Sequence, residues 1–67
     1  MGRGNEMYNR VLGMIAEAED ALATAIGLVE RLQGKGFDQD DLLMIAQQKR
    51  ALDTFHDTMA KRFRERL

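Results

Sequence analysis

From Tyr8 to Leu32 apolar residues recur every three and four positions, the spacing of an α-helix that buries one stripe. Tyr8, Ile15, Leu22 and Val29 fill one heptad column, and Val11, Ala18, Ala25 and Leu32 fill the other. The small residues at 18 and 25 let a neighbouring helix approach closely, while the large ones interdigitate with it. The flanks are apolar as well, with Met7, Met14, Ala21 and Leu28 on one side and Leu12 and Ile26 on the other. One companion helix covers a narrow seam, so this breadth predicts two or three neighbours, as in a four-helix bundle. Gly13, Ala16, Ala23 and Gly27 leave the remaining face small where a solvated helix would prefer Lys, Glu and Gln, which reads either as sequence drift or as a second close-packing groove for a partner.

The pattern breaks at Gly34-Lys35-Gly36-Phe37. Two glycines can take the positive φ that ends a helix, and Asp38 can accept the free N–H groups that begin another. Phe37 and Leu42 are spaced to clamp that entry as a hydrophobic staple, and Asp40 and Asp41 suit the positive end of a helix dipole. The second apolar stripe runs through Leu42, Ile45, Leu52, Met59 and Phe63, with Phe55, Ala60 and Leu67 alongside. At about 100° per residue Lys49 and His56 fall inside this stripe. The expected architecture is therefore all-α: one domain over residues 1–67, an antiparallel two-helix hairpin. Residues 1–4 are expected to fray, Asn5 to cap a helix over about 5–33, residues 34–37 to turn, and a second helix to cover about 38–66.

Size sharpens this picture. A chain of 67 residues is short for a self-sufficient core, and with no cysteine and one histidine neither a disulfide framework nor a structural zinc can supplement it. Association remains: the chain is expected to pair with itself, as a homodimer or larger, or to dock on a larger helical protein. Tyr8, Val11, Ile15, Ala18, Leu22, Ala25, Val29, Leu52, His56, Met59 and Phe63 are the candidate interface. No secretory h-region follows the start, and Glu17, Glu19 and Asp20 interrupt the most apolar window, so a cytoplasmic protein without membrane insertion is expected.

Candidate chemistry is sparse. His56 lies between Asp53 and Asp57, but no second ligand cluster accompanies it, and its position favours an interface or structural role. No phosphate loop, nucleophile elbow or paired-histidine metal motif is present, so neither catalysis nor a metal or cofactor is expected. The net charge is −1, yet the hairpin would gather Arg3, Arg10, Lys61, Arg62, Arg64 and Arg66 at its open end. Basic residues suit a helix C-terminus through the macrodipole alone; they are also the candidate contacts for phosphate or an acidic partner. A nucleic-acid-binding hairpin is thus the second functional expectation, and a small ligand held between bundle helices the third.

Two families of short hairpins are similar. The run Gln47-Gln48-Lys49-Arg50-Ala51-Leu52-Asp53, with the turn at Gly36 before it, resembles the second helix of the small co-chaperones of type III secretion needle subunits. That resemblance implies a hairpin packed on a larger helical-repeat chaperone, the pair keeping an aggregation-prone subunit monomeric. The architecture also looks like the plasmid-encoded RNA-binding hairpins that dimerise into a four-helix bundle. Their RNA-holding helix face is basic and polar, whereas the outer face here offers Gly13, Ala16, Glu17, Asp20, Ala23, Thr24 and Gly27, which would repel phosphate.

Overall fold

In a computed structural model describing residues 3–67, two helices, α1 (Arg3–Arg31) and α2 (Gln39–Arg66), lie antiparallel as a hairpin about 51 × 15 × 10 Å. The fold is all-α, as the periodicity predicts. α1 begins at Arg3, ahead of the expected cap at Asn5, whose Oδ1 accepts no hydrogen bond, and it stops at Arg31 rather than at residue 33. Residues 1 and 2, part of the stretch expected to fray, lie outside the described residues.

The turn is built by backbone geometry that few residues tolerate. Gly34 (φ 78°) and Gly36 (φ 110°) both occupy the left-handed region, and the Lys35 N–H closes on the Leu32 carbonyl at 2.9 Å. Asp38 then starts α2 with a capping box. Its Oδ1 accepts from the Asp41 N–H at 3.0 Å, while Asp41 Oδ2 accepts from the Asp38 N–H at 3.0 Å. Gln33 joins the two helix ends, its Nε2 donating to the Val29 carbonyl at 3.3 Å and to the Asp38 carbonyl at 3.2 Å.

Between the helices runs a single seam. α1 contributes Tyr8, Leu12, Ile15, Glu19, Leu22, Ile26 and Val29, and α2 contributes Leu42, Ile45, Lys49, Leu52, His56, Met59 and Phe63, all at least half-buried. One heptad column of α1 is thus the expected one and the other is not: Val11, Ala18 and Leu32 are exposed, and Ala25 is only half-buried. The physical reason is size and polarity together. Turning Leu12 and Ile26 inward removes more apolar surface from water than Ala18 and Ala25 would, and it carries Glu19 to the level where α2 presents Lys49, Asp53 and His56.

Candidate functional site

With the seam drawn through Leu12, Glu19 and Ile26, the displaced column becomes a second heptad on the outside of α1. Met7, Val11, Met14, Ala18, Ala21, Ala25 and Leu28 each precede a seam residue by one position, and Leu32 continues their spacing just past α1, so their stripe is rotated about 100° from the seam. All but Ala25 are exposed, Met7 at 65% and Met14 at 61%. Because the helices are right-handed and antiparallel, the residues one position before the α2 seam lie on this same side of the hairpin. They include Met44 (65% exposed), Ala51 and Phe55 (48%). Near the turn the face deepens into an open groove lined by Val29, Phe37, Met44, Ile45 and Gln48.

The opposite side differs. It carries Asn9, Gly13, Ala16, Asp20, Ala23 and Gly27 from α1 with Arg50, Asp57 and Arg64 from α2, and a methyl group added at Gly13 or Gly27 would meet nothing within 4 Å. Gly13 and Gly27 thus border open space, while Ala16 and Gly27 are themselves partly buried.

Half-way along the seam is a polar layer. Lys49 Nζ contacts Asp53 Oδ2 at 3.0 Å, which raises the lysine's pKa. Glu19 faces Asp53 from α1, and the hydrogen bond between these two carboxyls raises Glu19 above its ordinary range, with desolvation adding to it. Asp53 is lowered, first by that bond and then by Lys49. Asp53 Oδ1 is buried with no hydrogen-bond partner, and a proton carried by Glu19 would supply one. His56 sits beside this layer, 3.9 Å through Nδ1 from Asp57 Oδ1, with Asp57 itself almost wholly in solvent. Among the described residues no three acidic or imidazole groups gather in a way that could hold a metal ion.

The structure therefore sorts the expected interface residues into two sets. Tyr8, Ile15, Leu22, Val29, Leu52, His56, Met59 and Phe63 line the hairpin's own seam, whereas Val11, Ala18 and Ala25 lie on its outward face. At the open end Arg10, Lys61, Arg62, Arg64 and Arg66 are all exposed, and the side chain of Arg3 lies outside the described residues. The four α2 cations are spread over the outward side of the helix, on both flanks of the seam, rather than gathered into one groove. Arg66 rests over the Phe63 ring, its Cζ 5.8 Å from the centroid. Sequence reasoning missed the roles of Glu19 and Gln33; the signal available for Glu19 was its heptad register with Leu12 and Ile26.

Compared with protein-family models, curated proteins and solved structures, the chain matches none. Among the described residues no helix is long and apolar enough to cross a membrane.

Proposed function

We propose that this protein is a non-enzymatic, cytoplasmic protein–protein interaction module, which associates through the exposed apolar face of α1 and the adjoining flank of α2. The observation that carries the reading is the second heptad stripe. A solvated helix face has no physical need for apolar residues at eight successive heptad positions, and Met7, Val11, Met14, Leu28 and Leu32 stand 37–65% exposed along one side. Among the described residues only Val29 and Phe63 are buried, at 8% and 7% exposure, and no side chain is fully enclosed, so the intramolecular seam alone is a meagre core for 67 residues. The resemblance to needle-subunit co-chaperones, which act by packing on a larger helical protein, is of the same class.

The test is the double variant Met14→Glu/Leu28→Glu, both positions lying outside the seam. It is expected to keep its helicity while losing the concentration dependence of mass and melting temperature, and any protein that co-purifies with the wild type. A wild-type chain that melts cooperatively at one temperature at every concentration, keeps the monomer mass and holds no other protein overturns the reading.

A further inference from the structure

We propose that the occupant of this face is a second copy of the same chain, laid head to tail so that α1 meets the other α1 antiparallel about a two-fold axis between Ala18 and Ala21. The inference rests on the interaction-module reading and names its partner.

Area is the first argument. The chain exposes 5311 Å², whereas a compact monomer of its 7.6 kDa mass exposes about 4,300 Å². The surplus of about 1,000 Å² matches the ~800 Å² that each partner gives to a standard interface.

The order of side-chain sizes is the second. About that axis Ala18 faces Ala21 of the second copy, so the helix backbones approach most closely at the centre. Met14 meets Ala25, a long side chain over a short one. Toward the ends Val11 meets Leu28 and Met7 meets Leu32, where diverging helices leave room for two large residues. Because Tyr8 stacks level with Phe63, the same axis lays α2 over α2 and brings Phe55 of each copy beside Gln48 of the other.

Charge selects the direction. The open end carries exposed Arg10, Lys61, Arg62, Arg64 and Arg66 against Glu6 and Glu65, while the turn end carries Glu30, Asp38, Asp40 and Asp41 against Arg31 and Lys35. Head-to-tail packing sets each basic end beside an acidic turn and opposes the helix dipoles; packing in the same direction would stack like charges at both poles. The two-fold closes the assembly at two chains, since each copy uses the same patch.

The chain has no cysteine, so introduced thiols report without interference. Light scattering of the wild type is expected to give twice 7.6 kDa at micromolar concentration. When Met7→Cys and Leu32→Cys chains are mixed under mild oxidation, the mixed disulfide is expected to accumulate, and neither variant alone should link to itself. Self-linkage of Met7→Cys, with no mixed product, overturns the head-to-tail arrangement and leaves the interaction module standing. A wild type that stays at 7.6 kDa up to several hundred micromolar overturns the second copy as occupant. If that monomer still holds another protein that the Met14→Glu/Leu28→Glu variant releases, the module reading survives without this one.

Discussion

The rings of Tyr8 and Phe63 stack across the open end of the hairpin, with centroids 4.5 Å apart and planes within 10° of parallel. This pair closes the helices where no covalent turn does so, and Phe63, 7% exposed, is one of the two buried side chains among the described residues. Phe63→Ala should remove the stack, the burial and the Arg66 contact together, costing about 3 kcal/mol. Urea unfolding is expected to show the loss, and hydrogen exchange should show protection falling first in the first two turns of α1 and the last two of α2. Equal exchange at both ends of the hairpin would contradict this.

The polar layer makes stability depend on pH in two directions. Glu19 is raised in the folded state, so protonating it favours folding, and stability is lost as pH rises through its folded pKa. Asp53 is lowered, so its contribution is present above its unfolded pKa and is lost as pH falls through its folded value. The pair therefore supports the hairpin best in the ordinary carboxylate range, below neutrality. Glu19→Gln, which mimics the protonated acid, should melt at a higher temperature than wild type at pH 7, with the difference shrinking on acidification. Melting curves taken between pH 3 and pH 8 test this; a gap that does not change with pH is the opposing result.

Gly13 is an exposed helical glycine with open space where a side chain would stand. Gly13→Ala should therefore stabilise the hairpin by about 1 kcal/mol through helix propensity alone. In a domain of this size that corresponds to roughly 4–8 °C in melting temperature. A substitution that instead weakens self-association would mean that this face, and not the methionine-bearing one, receives a partner.

Gln33 spans the turn with two hydrogen bonds to main-chain carbonyls, one at each helix end. Gln33→Ala should cost about 1–2 kcal/mol, comparable to loss of the Asp38 cap in Asp38→Ala. Because both residues act on the same turn, the double variant should lose less than the two separate losses added together. A double-mutant cycle read by thermal unfolding measures that coupling, and strict additivity would show that the two contacts are independent.

Much of the fold was legible because its signals are local. Gly34, Gly36, Asp38 and Asp41 place the turn and the capping box through backbone requirements that do not depend on the rest of the chain, and Lys49 and His56 are placed in the α2 stripe by period alone. The α1 seam was not legible in the same way. Two heptads one residue apart, through Val11, Ala18 and Ala25 or through Leu12, Glu19 and Ile26, share a helix, and the first looks the more apolar. Glu19 counts against the second register until Asp53 and Lys49 stand opposite it.

The sequence by itself determined that two helices of matched length form, where they turn, and that α1 carries more apolar surface than one neighbour can cover. Only tertiary structure decided which side of α1 faces α2 and which is left outward. That choice depends on what α2 offers at each level of the seam: the larger aliphatics bury more area, and a carboxyl group enters only where a lysine and a second carboxyl receive it.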